Sequence, residues 1–299
     1  MTILMEKKRK SYRYSPYAAI ILVFALLWLV MLVCAGLYDL DISLAVAGPL
    51  SPFGRLLEIA GEPPAILFTS FNFSLIAVCL LRRENRRGRD TLLAALCVVG
   101  TVGTAYYTTN ATLNYLSGWR ADLGLSFISG GVKMSFALII SALLSVLFLF
   151  TAFRSDRKRL ENFLPAAAHC VLAAVLTLVV IWCFKLVWGR VRFRQLGDVS
   201  DFTPFWHPNG FTGFFSFPSG HTANATVILT VTYYFRFFGS KTKAALRPAL
   251  FVWIVIVALS RVLVGAHYLS DVLCGFAITA VIVFLCRPKK KAEEKNVYR

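Results

Sequence analysis

The chain has 299 residues, of which 58% are apolar and only 16% charged, and its mean hydropathy is +0.67. Soluble domains hold about 45–50% apolar and about 25% charged residues, so this composition excludes an ordinary soluble domain. The net charge of +17 falls in short clusters between apolar runs without a nucleic-acid-binding motif, which argues against a nucleic-acid partner.

Residues 1–16 are polar and basic, with Lys7, Lys8, Arg9, Lys10 and Arg13. The apolar run Tyr17–Leu37 is long enough to span a bilayer. A signal peptide would share its basic start, but the run is long for that role and has no small-x-small cleavage site. A loop with Asp39 and Asp41 follows, then Gly61-Glu62-Pro63-Pro64, whose prolines suit a first helical turn. Further spans are expected at Pro64–Leu81, Thr91–Thr108, Val132–Phe150, Phe163–Phe184, His221–Phe238, Ala249–Val264 and Leu269–Cys286. The third is the most polar, diluted by Gly100, Gly103 and several threonines. The chain therefore reads as an all-α, polytopic transmembrane helical bundle of about eight spans. It forms one membrane domain, 17–286, between basic tails at 1–16 and 287–299. The seven cysteines are scattered through apolar runs without a C-x-x-C pair, as expected of small buried side chains.

Lysine and arginine are unevenly divided. The two tails and alternate connections hold 24 of the 32, and the opposite side holds 8. The positive-inside rule puts both termini in the cytoplasm and the sparse side outside. That outer side carries every residue with a claim on chemistry. Lys185 ends the fifth span, His221 opens the sixth, and the segment from Arg261 to Asp271 joins the seventh to the eighth.

His267 and Asp271, at i and i+4, would share a helix face, where the carboxylate fixes one ring nitrogen and frees the other as a nucleophile. An acid at a membrane helix end is costly unless used. In Pro218-Ser219-Gly220-His221, Gly220 lets backbone approach a ligand, and first-turn N–H groups favour an anion. Ser219 can cap the helix or donate its hydroxyl, and His221 is placed as a general acid. Lys185, Arg192 and Arg261 supply positive charge suited to phosphate. Arg190 and Arg194 read as interfacial anchors. His169 reads as facing another helix. His207 lies in an outer loop with Trp206, Phe211, Phe214 and Phe215, which is expected to dip into the lipid interface. No metal site or cofactor is expected.

Lys185, six residues, Arg192; then Pro218-Ser219-Gly220-His221; then Ser260-Arg261, five residues, His267, three residues, Asp271 resembles the three-part signature of the type-2 phosphatidic acid phosphatase superfamily. The resemblance covers about residues 163–286, and no motif is assigned to the first 160. Phe193 stands where the family usually has proline, which bears on loop geometry. The resemblance implies a six-span core, so two spans are additional, and a metal-independent phosphohydrolase. By the same implication His267 attacks phosphorus, Asp271 orients it and His221 protonates the leaving group. Lys185, Arg192, Ser219, Gly220 and Arg261 would hold the phosphoryl oxygens. The expected substrate is a lipid phosphate or diphosphate: an isoprenyl diphosphate such as undecaprenyl diphosphate, phosphatidylglycerol phosphate, phosphatidic acid or lipid A. The setting suits a bacterial inner membrane, with the site on the outer face. A lipid phosphotransferase using the same intermediate, a vanadium haloperoxidase and a non-catalytic lipid transporter are the alternatives; the haloperoxidase's usual soluble form fits eight spans poorly, and a transporter would not explain the intact constellation. The charge asymmetry gives a direct test of topology. A reporter fused after Cys286 should read cytoplasmic and one inserted near Asp198 external, and identical readings would sink the eight-span topology.

Overall fold

Each expected span coincides with helix in the computed structural model, which describes residues 16–48, 50–126 and 128–288. The cytoplasmic placement of the tails concerns segments that lie almost entirely outside the described residues. The helices are α1 (Pro16–Val46), α2 (Pro52–Ala60), α3 (Pro63–Leu81), α4 (Gly88–Asp122), α5 (Gly130–Arg154), α6 (Arg157–Trp188), α7 (Gly220–Val227), α8 (Ser240–Leu263) and α9 (Leu269–Leu285). No strand occurs among the described residues, and the architecture is a polytopic helical bundle.

Among the described residues, six helical stretches are long and apolar enough to cross a membrane: Leu22–Val46, Pro52–Leu81, Gly88–Asp122, Gly130–Arg154, Arg157–Trp188 and Ser240–Leu263. The shorter apolar α9, of 17 residues, reaches about 25 Å at a helical rise of about 1.5 Å. The sixth expected span begins as α7 and continues as a 3-10 helix, Ile228–Phe237. The steeper 3-10 rise of about 2.0 Å stretches this segment to roughly 32 Å, comparable with a hydrocarbon core of about 30 Å.

Three departures from the sequence reading matter for the site. Helix α1 continues to Val46, so Asp39 and Asp41 are helical rather than in a loop. A short helix, α2, opens with Pro52 behind the capping hydroxyl of Ser51. Helix α4 extends to Asp122, well beyond Thr108. Its threonines are compatible with helix because Thr101, Thr104, Thr108 and Thr109 each return a hydroxyl to the carbonyl four residues back. Gly100 has a packing reason, since an added Cβ would stand 2.8 Å from the Phe73 ring of α3.

Connections gather alternately at the two ends. At one end Gly48 N donates to Leu263 O at 2.7 Å, and Arg55 of α2 pairs with Asp122 of α4. At the other, Arg82 donates to Ser155 O at 2.8 Å and Arg157 pairs with Glu84. Between them, Ala166, Cys170 and Ala173 of α6 pack against Tyr233, Tyr234 and Val283. Cys79, Cys170, Cys274 and Cys286 are buried as expected, whereas Cys34 and Cys183 lie on outward helix faces.

Helix α9 reaches the start of α7 through Gly275, where an added Cβ would stand 2.6 Å from Ser219 O. The approach lets Ser219 N donate to Asp271 O at 3.0 Å. G275A is therefore expected to push the Pro218–His221 turn away from α9, read as a fall in Tm. A variant that melts like wild type would show that the turn tolerates the shift.

Candidate active site

A cavity of about 190 Å³ lies at the end of the bundle where α2, the turn into α3, α4, α6, α7 and α8 meet. Lys185, Arg192, Gly220, His221, Arg261 and His267 line it, so six of the eight residues singled out from sequence share one space. Ser219 and Asp271 lie behind its wall, both fully buried.

His267 stands in the short connection between α8 and α9. Its Nδ1 donates to Ser216 O at 2.7 Å, which leaves Nε2 for the cavity that the ring lines. Burial, with the charge of Lys185 nearby, pushes this imidazole down to about 3, so it is neutral at ordinary pH. The expected helical pairing with Asp271 does not form. Tyr268 is extended, α9 starts only at Leu269, and Asp271 folds back to accept from Tyr268 N at 3.0 Å. Its Oδ2 remains 3.7 Å from His267 Nδ1, too far for a hydrogen bond. The link runs through Ser216 instead, whose hydroxyl donates to Asp271 Oδ2 at 2.6 Å while its carbonyl takes the imidazole proton.

Arg190, read from sequence as an interfacial anchor, is completely buried. It donates to Asp271 at 2.6 Å, Ser270 at 2.9 Å, Asp39 at 3.0 Å and the Thr203 carbonyl at 2.8 Å. Its guanidinium also covers the Tyr268 ring at 4.1 Å. Arg194 is no anchor either, since it reaches Glu58 at 3.1 Å. Desolvation was the missing consideration: both arginines follow the end of α6 into the bundle, where acids from α1 and α2 receive them.

The cations on the cavity differ in how they are held. Arg261 donates to Gly54 O at 2.7 Å and lies 3.5 Å from Glu58. Buried Lys185 donates to Phe215 O at 2.6 Å. Neither Lys185 nor Arg192 has an ion-pair partner among the described residues, and the buried Nε of Arg192 has no hydrogen bond there. Ser219 caps α7, accepting from Thr222 N at 3.4 Å and from its hydroxyl at 3.1 Å. At Gly220 an added Cβ would meet Lys185 Cε at an ordinary 3.6 Å, so protein packing alone does not demand glycine. His221 Nε2 lies 3.2 Å from Glu58 O and Nδ1 3.5 Å from Glu62.

Phe193 opens a one-turn 3-10 helix, a place where proline's fixed φ would also fit, and its ring packs edge-on to Tyr268. His169 is partly buried on α6 with an unpartnered Nδ1 among the described residues. In the aromatic loop Trp206, Phe211 and Phe214 are exposed, Phe215 lines the cavity and His207 pairs with Asn209 at 3.0 Å.

Residues 168–294, the carboxy-terminal stretch of the chain, match the PAP2 superfamily. Within curated proteins, the chain is 38% identical over 91 residues to phosphatidylglycerophosphatase B of Bacillus subtilis (strain 168), covering 29% of this chain and 43% of that protein. It is 36% identical over 108 residues to lipid A 1-phosphatase of Rhizobium etli, covering 33% of this chain and 42% of that protein. The chain thus spans about two fifths of the length of each of these relatives. No solved structure matches it significantly.

The buried arginine makes a stability prediction. R190M strands two buried carboxylates and should cost about 3–5 kcal/mol, read as a large fall in Tm. Adding D39N should recover part of it. If R190M melts like wild type, the ion triad does not hold the site.

Proposed function

We propose that the chain is an integral membrane phosphatase that removes phosphate from a lipid phosphate or diphosphate through a phosphohistidine, without a metal. The observation that supports this best is the pairing of Lys185 and Arg192, two cations without a carboxylate partner among the described residues, with a neutral His267 on the same cavity. Buried charges are costly when uncompensated. An anionic ligand would compensate them, and tetrahedral phosphate oxygens suit an arginine fork beside a lysine.

In this reading Nε2 of His267 attacks phosphorus and the P–O bond to the lipid breaks. His221 gives its proton to the departing oxygen. Water then attacks the phosphohistidine, the P–N bond breaks, and the water's proton returns to His221. Ser216 and Asp271 keep the nucleophile in one tautomer, with the proton on Nδ1. Lys185, Arg192 and Arg261 meet the charge that develops on the phosphoryl oxygens, where one donor is typically worth about 2.7–4 kcal/mol. The first turn of α7 at Gly220 adds backbone N–H groups for the same oxygens, and Ser219 serves through its cap of that turn.

The cavity is smaller than the roughly 300–1,000 Å³ of sites that enclose a drug-sized ligand, so it suits a phosphorylated headgroup whose acyl or prenyl chains stay outside. Tyr107 of α4 and Leu178 and Trp182 of α6 line the cavity and are also half-exposed on the helix faces, an apolar rim for such chains. The two relatives, named as phosphatases of phosphatidylglycerophosphate and lipid A, support a lipid substrate here. The basic asymmetry supports a site on the outer face of a bacterial inner membrane.

Phosphate release by the full chain from phosphatidylglycerol phosphate, phosphatidic acid, an isoprenyl diphosphate and lipid A, with chelator present, tests the reading. At least one should be hydrolysed, and release from none overturns it. H267A should be inactive on every substrate. H221A should lose roughly 10²–10⁴-fold on phosphatidic acid but far less on 4-nitrophenyl phosphate, whose leaving group needs little protonation. Equal losses on the two esters would remove the general-acid role from His221.

A further inference from the structure

His221 has a carboxylate beside it that comes from outside the family-matched segment. Glu62, at the turn into α3, is buried and lines the cavity. Its Oε1 lies 3.5 Å from His221 Nδ1 and accepts from Asn224 Nδ2 at 2.8 Å. The other ring nitrogen, Nε2, lies 3.2 Å from Glu58 O. Both nitrogens therefore face acceptors. A neutral imidazole has one N–H to offer and an imidazolium has two, so both contacts are met as hydrogen bonds by a charged ring or by a proton held on Glu62.

The rest of the surroundings opposes that charge. Arg261 of α8, Lys185 of α6, Arg192 of the loop after it and His267 line the same cavity, with Arg194 beside them. Tyr115 of α4 sets its ring edge-on to His221 at 5.3 Å, and Tyr107 lines the same wall. The second acid on that wall, Glu58, is engaged by Arg55 at 2.8 Å and Arg194 at 3.1 Å, with Arg261 at 3.5 Å. Glu62, among the described residues, is held by an amide and an imidazole alone. Of the two acids on that wall, Glu62 is the one without an arginine or lysine contact among the described residues.

We infer that Glu62 is the positioning residue for the acid step: it holds Nδ1–H of His221, keeps the ring charged, and leaves Nε2–H to be handed to the leaving oxygen in place of the Glu58 carbonyl. As the P–O bond breaks, that proton passes to the departing oxygen, and His221 stays neutral with Nδ1–H still on Glu62. When water cleaves the phosphohistidine, its proton returns to Nε2. The 3.5 Å separation is longer than a tight hydrogen bond, as is common before a substrate closes a site. The inference rests on the phosphatase reading and deepens it: the nucleophile and the acid each have their own carboxylate.

The test compares phosphatidic acid with 4-nitrophenyl phosphate, using the full chain in detergent micelles. E62Q should lose roughly 10²-fold on phosphatidic acid and less than about 10-fold on the aryl ester. The basic limb of its kcat profile on phosphatidic acid should move down by about one pH unit or more, because the proton on His221 has lost its anion. N224A should move that limb upward, since Glu62 no longer shares its charge with an amide. E62D should restore part of the lipid activity, and E62Q/H221A should be no slower than H221A. Equal losses on both esters, an unmoved limb, or additive losses in the double variant overturn the inference. If E62Q does not fold, the N224A limb decides, and no shift or a downward shift overturns it. Failure of the phosphatase reading shows elsewhere, as full activity in H267A or equal ester losses in H221A itself.

Discussion

Arg190 sits between Asp39 of α1 and Asp271 of α9, and the geometry of the site follows from keeping that charge out of water. Burying a guanidinium costs several kcal/mol unless its protons are met, and here carboxylates, a hydroxyl, a carbonyl and an aromatic face meet them. The residue cannot shift without moving Asp271, and Asp271 cannot shift without moving Ser216 and His267. The backbone takes part as well: Ser216 N donates to Arg190 O at 2.9 Å. Gly189, at φ +50°, turns the chain out of α6, and a Cβ there would strike Gly210 O and Thr212. A glycine turn and an ion triad thus set the register from which Arg192 reaches the cavity.

The same economy sorts the cations near the cavity into two kinds. Arg190, Arg194 and Arg55 have carboxylates of the protein and hold α1, α2, α4 and the 189–219 loop together. Lys185 and Arg192 have none among the described residues and face the cavity. Arg261 lies between the kinds, with one nitrogen on a carbonyl and another near Glu58. That division is what the proposed anion site requires: Glu58 is engaged by Arg55 and Arg194, and Asp39 and Asp271 by Arg190.

The helices were legible because each apolar run is long and bounded by basic clusters, and the three motifs were legible because their chemistry lies in short local spacings. What escaped was long-range. Asp39 looked like a loop acid because the apolar run was ended at Leu37, although an acid in a membrane helix is itself a sign of use. Glu58 and Glu62 lie more than 150 residues from the histidine they face, and no periodicity announces such a contact. Ser216 acts through its carbonyl as much as its hydroxyl, and a backbone acceptor has no residue type to recognise. The i, i+4 reading of His267 and Asp271 brought the right two residues together for the wrong reason. It assumed helix at a position where Tyr268 is extended.

These omissions have a common origin. The matched segment, 168–294, contains the two cavity histidines, His221 and His267, with Asp271 and the cations Lys185, Arg190, Arg192, Arg194 and Arg261. The acids that contact them from outside it, Asp39, Glu58 and Glu62, all come from the part of the chain before it, as does Tyr115 against His221. A cluster of cations and imidazoles closed in a low-dielectric bundle is unstable by itself, because like charges repel more strongly there than in water. The amino-terminal helices therefore do more than surround the matched segment. They bring acids to its cations and imidazoles, and they do so from α1, from α2 and from the turn into α3. Because those acids lie on different elements from the histidines, the proposed acid step depends on how the amino-terminal helices pack. Two chains that share the three motifs can thus differ in acid chemistry through residues that no motif contains.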